Sequence, residues 1–298
     1  RPLSAYGVGI GYVFRRVSGG NGAYFLGRVS STASKSYFPT VFLIKEPIVS
    51  LFIILSAIIL AMVALIKAFG SSSGKYLKDK FEKLKEYLRK NIASVTIFSF
   101  IVLYSYLSIT GNLNIGLRHL FPIFPLIFIL TAKIIFDFIK RRQSEHSKNI
   151  IYFSILILVL VLFIQTITAY PNYMSYFNES VGGSKNGYKL VTDSNADWGQ
   201  DLKRLKIFLN EHPEIQNIRV DYFGGGDIEY YLGSSYQTWW DSKRPIENGW
   251  YAISTNFLEG SIYNTEKPDD ETYRWLVEKK PVYQIGTSIL IYQITDVK

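Results

Sequence analysis

Cysteine is absent from the 298 residues. That excludes a disulfide framework, a thiolate zinc site and a catalytic cysteine. Histidine is scarce, with only His119, His146 and His212. Charge is missing altogether from three long stretches: Ile48 to Ile66, Ile92 to Ile109 and Ile150 to Ala169. A fourth, Leu120 to Ile139, carries only Lys133 and Asp137, both near its end. What the chain has instead is apolar and aromatic surface. Apolar residues make up 48% and aromatics 16%, with 22 Tyr and 20 Phe, which excludes a disordered chain. The length suggests about two domains.

Each of the four runs matches the roughly 20 apolar residues that cross a bilayer core of about 30 Å. A buried helix of a soluble protein is usually shorter and keeps a polar face. The first run is not a signal peptide, because it begins too far into the chain and is too long. Loop charge then predicts orientation. Residues 67–91 and 133–149 are rich in Lys and Arg and together carry +8, whereas residues 110–119 hold only Arg118. By the positive-inside rule the two basic loops are cytoplasmic. The first segment, the 110–119 loop and everything after Ala169 are then extracytoplasmic. The expected organisation is an extracytoplasmic loop segment at residues 1–47, a four-helix transmembrane domain at 48–169 and an extracytoplasmic α/β domain at 170–298.

The net charge of +9 follows the same division. The tail from Tyr170 is −5, so the positive excess belongs to the membrane part. Nucleic-acid binding loses its main support, because the tail shows no basic aromatic face. Residues 75–90 read as an amphipathic helix lying on anionic lipid, with Tyr76, Leu77, Phe81, Leu84, Tyr87 and Leu88 among lysines. Ser71 to Gly74 reads as a short flexible stretch.

After Pro171 short elements alternate with turn signals. Strands are expected at Lys189 to Thr192, Ile218 to Phe223 and Trp250 to Ser254. A hairpin is expected from Val282 to Ile285 and Ile289 to Ile294, around Gly286. Asp197 and Gln200, three apart, suggest a capping box opening a helix to about Asn210. Asp227 to Leu232 and Asp270 to Glu278 read as helices, the latter with an acidic first turn. The alternation points to a small α/β domain.

Few residue groups suggest chemistry. His146 and His119 fall on opposite sides of the expected membrane, and His212 ends a tail helix, where a positive charge suits the helix end. Neither a Ser/His/Asp system nor a multi-histidine metal site follows. Gly224 to Gly226 reads as a tight turn, with a phosphate cradle as the alternative. Lys45, Arg118 and His119 stand at the outer boundary of spans. There they suit an anionic lipid headgroup, or else simply snorkel to the interface. Asp193 to Asp201, reading DSNADWGQD, is dense in polar groups plus an indole. It offers a sugar hydrogen bonds and a stacking ring through Asp193, Asp197 and Trp198, or else forms a βα turn with an Asx cap. Asn178, Glu179 and Ser180 match an N-glycosylation acceptor.

Three stretches point one way together. The first is Tyr24–Gly27, Tyr37–Pro39 and Phe42–Pro47. The second is Asn114–Pro122 with Pro125. The third is Tyr173–Glu179, Gly182 and Gly183, then the DSNADWGQD segment. In this order, over nearly the whole chain, they resemble the C-terminal half of bacterial and archaeal membrane glycosyltransferases of the protein-mannosyltransferase and aminoarabinose-transferase type. These are the GT-C class, family 39-like. The resemblance implies a multi-pass cell-membrane enzyme that takes a sugar from a polyprenyl-phosphate donor. The acceptor would be a glycan, lipid or protein outside the cytoplasm. It also implies inversion at the anomeric carbon, with a carboxylate deprotonating the acceptor and cations holding the departing phosphate. Lys45, Arg118 and His119 would serve the phosphate, and DSNADWGQD would line or cover the cleft. No cofactor is implied, and a divalent metal is left open. Two departures stand out. Family members usually have eight or more spans, with the acidic catalytic residue in the first outer loop, so this four-span chain is expected to be an N-terminally truncated fragment, inactive alone. Glu46 also replaces a commonly small residue. The rival readings are a membrane anchor displaying an α/β binding domain and a transporter, the latter disfavoured because the only charges of the spans lie at their ends.

Overall fold

The computed structural model describes residues 2–20, 22–70 and 77–297. The chain opens with helix α1 (Pro2–Gly19), a hairpin of β1 (Ala23–Phe25) and β2 (Arg28–Ser30), and helix α2 (Tyr37–Lys45). Then come α3 (Ile48–Gly70), α4 (Leu77–Lys90), α5 (Ile92–Thr110), α6 (Phe124–Lys140) and α7 (Glu145–Ala169). The remainder holds α8 (Leu202–Glu211), β3 (Ile218–Asp221), α9 (Ile228–Leu232), β4 (Tyr236–Thr238), β5 (Gly249–Ser254), α10 (Thr255–Ile262), β6 (Tyr283–Ile285) and β7 (Ile289–Ile294). Two compact units result. One gathers residues 1–45, 111–117 and 169–298; the other comprises 46–110 and 118–168.

Within the helical unit, four helices are long and apolar enough to cross a membrane. α6 packs against α3 and α5. Among the described residues none in α5 or α7 is buried, and Phe98, Leu103, Phe153 and Phe163 point outward. Pro122 and Pro125 shape the start of the third of these helices. Proline lacks the N–H that an α-helix needs and clashes with the preceding turn. Residues Leu117–Ile123 therefore wind as a 3-10 turn, and α-geometry begins at Phe124, with Pro125 in its first turn. The charged helix α4 carries exposed Phe81, Leu84 and Leu88 among its lysines, as the amphipathic pattern predicts. Ser71 to Gly74, and with them Lys75 and Tyr76, lie outside the described residues.

The other unit is built on a five-stranded sheet of order β4-β3-β5-β7-β6. β3 runs parallel to β4 and β5, whereas β7 is antiparallel to β5 and β6. Val220 pairs with Ala252, which pairs with Ile291. These three lie in one apolar core with Leu202, Leu205 and Ile218. α10 packs against β5 and against a 3-10 turn at Tyr273–Leu276. The central strands are thus buried: β7 reads as a near-continuous apolar run, and β3 alternates Ile218 and Val220 with Arg219 and Asp221, whose side chains pair with Glu247 and Tyr273.

Several local expectations are corrected. Lys189 to Thr192 is no strand: residues Gly187–Lys189 form a 3-10 turn, and Val191 makes only an isolated bridge to Phe25. Asp270 to Glu278 is not one helix but two 3-10 turns, because Thr272 between them is fully extended. Within the first 47 residues, α1, the β1–β2 hairpin and α2 occupy most of the segment.

Candidate functional site

The site grows from the C-terminal end of α2. The last carbonyls of a helix have no intrahelical partner. Here Asn178 supplies two: its backbone N–H donates to Ile44 O at 2.8 Å and its side-chain Nδ2 to Leu43 O at 2.7 Å. Lys45, a cation in the last turn, suits the negative end of the helix dipole. Its Nζ donates to Met174 O at 3.0 Å and Asn195 O at 2.5 Å, and stands 4.4 Å from the Phe177 ring centre. Burial of the ammonium pulls Lys45 down to about 7, although the residue as a whole is half-buried.

Asn195 is the junction. It is 1% exposed. Its Nδ2 donates to Tyr37 Oη at 2.8 Å, and its Oδ1 accepts from Leu117 N at 3.1 Å. Beside it, Ser194 Oγ donates to Ile115 O. Gly116 adopts φ +113, and a Cβ there would collide with Ser194 Oγ. All three stretches noted in the sequence therefore meet: Tyr37 and Lys45 from the first, Ile115–Leu117 from the second, Asn178 and Ser194–Asn195 from the third. Replacing Asn195 by Ala strands the Leu117 amide and one lobe of the network. The expected loss is about 2–3 kcal/mol of stability, read by thermal unfolding of the purified chain in detergent.

The rest of the DSNADWGQD segment is tied locally. Asp193 has φ +56; its N–H donates to Asn256 Oδ1 at 3.1 Å and its carboxylate accepts from Ser194 N at 2.6 Å. Asp197 is fully buried, and its Oδ1 accepts from Gly199 N at 2.8 Å. Gln200 Oε1 accepts from Trp198 N at 2.7 Å. The expected capping box is thus not formed: Asp197 Oδ1 and Gln200 Oε1 accept within the turn, and α8 starts only at Leu202. Burial pushes the Asp197 carboxyl up to about 7; the neighbouring Asp201 adds to the shift, while the Gly199 amide and the Ser254 and Ser288 hydroxyls oppose it. Trp198 is 45% exposed, with its Nε1 donating to Ser194 O at 3.1 Å.

Asp201 is the residue that sequence reasoning missed. It is fully buried and accepts from Thr287 N at 2.8 Å, Ser288 N at 2.9 Å and Ser288 Oγ at 2.9 Å, while pairing with Arg204. It thereby locks the β6–β7 turn, where Gly286 sits at φ +57. Nothing local signals this, since the partners lie 86 and 87 residues away.

The remaining candidates separate. Arg118 and His119 belong to the helical unit. Arg118 is exposed, and the His119 carbonyl accepts from Tyr104 Oη at 2.9 Å. The glycosylation acceptor is corrected: Asn178 is fully buried with its Nδ2 bound to Leu43 O, so the fold withholds it from modification. Gly224 to Gly226 form the expected turn, and Asp227 caps α9 by accepting from Tyr230 N at 3.1 Å. His212 ends α8, 2.8 Å from Glu214 Oε1 and against the Phe208 ring. Among the described residues no group of three or more His, Cys, Asp or Glu could hold a metal ion. No family model, curated protein or solved structure matches the chain.

Proposed function

We propose that the chain is part of a multi-pass cell-membrane glycosyltransferase of the GT-C class, which moves a sugar from a polyprenyl-phosphate donor to an acceptor outside the cytoplasm. The observation that carries this reading is the convergence on Asn195. Three stretches far apart in sequence, chosen for their resemblance to one family, hydrogen-bond to one another. The four long apolar helices, with outward-facing Phe, Leu and Ile side chains, support the membrane location.

In this reading the acceptor oxygen attacks the anomeric carbon, and the carbon–oxygen bond to phosphate breaks. The polyprenyl phosphate leaves with the bonding pair, and the acceptor proton passes to a carboxylate base. No residue of this chain is assigned as that base. Arg118 and His119, which follow directly on the Ile115–Leu117 segment bound by Ser194 and Asn195, are the cations for the departing phosphate. A guanidinium can hold two phosphate oxygens in parallel, and charge placed where charge develops lowers the barrier. Lys45 already serves two carbonyls, so its part is to brace α2 against the 174–178 loop and the DSNADWGQD segment.

Binding tests the assignment. Purified chain in nanodiscs is expected to retain polyprenyl phosphate in native mass spectrometry against excess phosphatidylglycerol. Arg118→Ala is expected to weaken retention by about tenfold, the loss of one charge-assisted contact. Retention unchanged in Arg118→Ala would remove Arg118 from the phosphate site.

One observation favours a second reading, a membrane anchor displaying an α/β binding domain. Asn195, Asp197 and Asp201 are each no more than 1% exposed, so this part of the segment holds protein rather than ligand. Sugar transfer separates the two readings.

A further inference from the structure

The sheet has a topological switch point between β3 and β5. The two strands run parallel, with Asp221 beside Ile253, so their carboxyl ends lie together. From β3 the chain continues into α9, and from β5 directly into α10. Successive residues of a strand face opposite sides of a sheet. Val220 and Ala252 share a core with Leu205 of α8 and Leu232 of α9. Their neighbours face the other way: Asp221 accepts from Tyr273, and the Tyr251 ring packs against Trp275. Tyr273 and Trp275 belong to the 3-10 turn against which α10 packs. α9 and α10 therefore leave toward opposite faces. Connections that part in this way open a crevice at the strand ends, the common ligand position of open α/β sheets.

The DSNADWGQD segment borders this crevice. Asp193 N donates to Asn256 Oδ1 at 3.1 Å, just after β5. Tyr222 Oη, just after β3, donates to Gly199 O at 2.8 Å. The two strand ends are themselves joined, Phe223 N donating to Ser254 Oγ at 2.9 Å. Two rings stay exposed there: Trp198, and Phe257 at 38%, the latter edge-on to Phe223 with centroids 5.5 Å apart. Gly224 to Gly226 are exposed as well, and a Cβ on Gly225 would meet no atom within 4 Å. Thr255, fully buried at the end of β5, has a hydroxyl without a partner among the described residues.

The side chains state the ligand chemistry. Residues 193–201, 222–228 and 254–257 contain no Lys or Arg, while Asp193 and Asp227 bring negative charge. Such a mouth repels a phosphate or a nucleotide. The Asn256 Nδ2 makes no hydrogen bond among the described residues, and an amide N–H is a donor that a cationic ligand cannot use. Aromatic faces, carboxylate acceptors and an amide donor together suit a neutral sugar. The C–H face of a pyranose lies on a ring, and its hydroxyls both donate and accept.

We propose that the switch point between β3 and β5 is a carbohydrate site, in which a neutral pyranose lies against Trp198 and is held by Asn256 Nδ2 and the Asp193 and Asp227 carboxylates. The proposal claims binding and not transfer, so it stands or falls apart from the glycosyltransferase reading.

Saturation-transfer NMR tests it. Purified full chain in phosphatidylcholine/phosphatidylglycerol nanodiscs would be titrated with the methyl glycosides of glucose, galactose, mannose and N-acetylglucosamine, and with glucose 1-phosphate. Empty nanodiscs set the background. The expected result is saturable transfer to at least one neutral glycoside, stronger than to glucose 1-phosphate. Trp198→Ala is expected to weaken it about fivefold, the size of one aromatic contact. Trp198→Phe keeps a ring and should bind within about twofold of the parent chain, which separates stacking from a folding defect. Tyr283→Ala removes an exposed ring at the amino end of β6, the opposite end of the sheet, and should change nothing. Transfer to none of the four glycosides would overturn the proposal. So would binding that Trp198→Ala leaves unchanged. Glucose 1-phosphate bound more tightly than every neutral glycoside would make the glycine run a phosphate cradle and overturn it too.

Discussion

Asp201→Ala is expected to unfold the sheet-bearing unit about 10 °C below the parent chain, the equivalent of about 4 kcal/mol at roughly 2–4 °C per kcal/mol. The carboxylate is fully buried and accepts three hydrogen bonds from the 287–288 turn, two of them from backbone amides. Alanine leaves both amides buried without an acceptor, and it removes the charged partner of Arg204, which is itself only partly exposed and keeps Asn172 alone. Breaking one side of a buried charged network typically costs about 3–5 kcal/mol, because the other side stays desolvated. Asp201→Asn is the sharper comparison. It keeps the shape and one oxygen but turns an NH2 group toward donors, so it recovers only part of the loss. Asp270→Ala, in an exposed turn, sets the baseline and is expected to change little. Thermal unfolding in detergent, followed by near-ultraviolet circular dichroism, reads all three. Equal midpoints for Asp201→Ala and Asp270→Ala would show that the turn is held by other means.

The second large effect concerns pH. Asp197, Asp221 and Glu259 are each pushed up to about 7, in every case chiefly by burial. Their surroundings differ. Asp197 lies beside Asp201, Ser254 and Ser288. Asp221 accepts from Tyr273 Oη at 2.7 Å, with Asp241 and Lys267 nearby. Glu259 sits near Lys189 and Tyr24. An acid whose folded pKa is raised holds its proton more tightly when folded. The stability it gives is complete below the ordinary carboxyl range, near pH 4, and is lost as pH rises through about 7. Lys45, pulled down to about 7, acts only above that value, where it favours the folded state toward its ordinary 10.5. The chain should therefore be more stable at pH 5 than at pH 7.5. Each acid should contribute about 2 kcal/mol, allowing for partial solvation, at 1.4 kcal/mol per pKa unit. Glu259→Gln imitates the protonated form and should flatten about a third of the slope. A midpoint that rises from pH 5 to 7.5 would mean that these acids are ionised in the folded chain.

How much of this was legible in the sequence depended on how local the cause is. The four long helices were plain because runs such as Ile48 to Ile66 have the length of a bilayer and no charge. Strands β5 and β7 were legible for a similar reason: largely buried, they read as aromatic and aliphatic runs, while β3 showed only the alternation of Ile218 and Val220 with Arg219 and Asp221. β4, one of the two edge strands, was not, since Tyr236–Thr238 is short and mostly polar. α10 was missed because Thr255 and Gly260 blur its periodicity. The capping box at Asp197 and Gln200 failed on a tertiary fact. Gln200 turns back onto Trp198 and Ala196, and the carboxylate that anchors the start of α8 is Asp201, which faces a hairpin far along the chain. The meeting point of the three stretches was hidden in the same way. Asn195 stood within the quoted segment, but its partners Tyr37 and Leu117 are 158 and 78 residues distant.

The central claim is sugar transfer from a polyprenyl-phosphate carrier, and transfer itself is its most direct test. Membranes from cells in which the gene is disrupted would be compared with membranes in which it is restored intact or with Arg118→Ala. Each would be supplied with polyprenyl-phosphate-linked radiolabelled hexose or aminopentose, and label reaching non-lipid-phosphate products would be counted. The account predicts that disruption abolishes transfer of one such donor, that the intact gene restores it, and that Arg118→Ala restores it by less than about a tenth. Equal transfer of every donor with and without the gene would contradict the account and leave the anchor reading in its place.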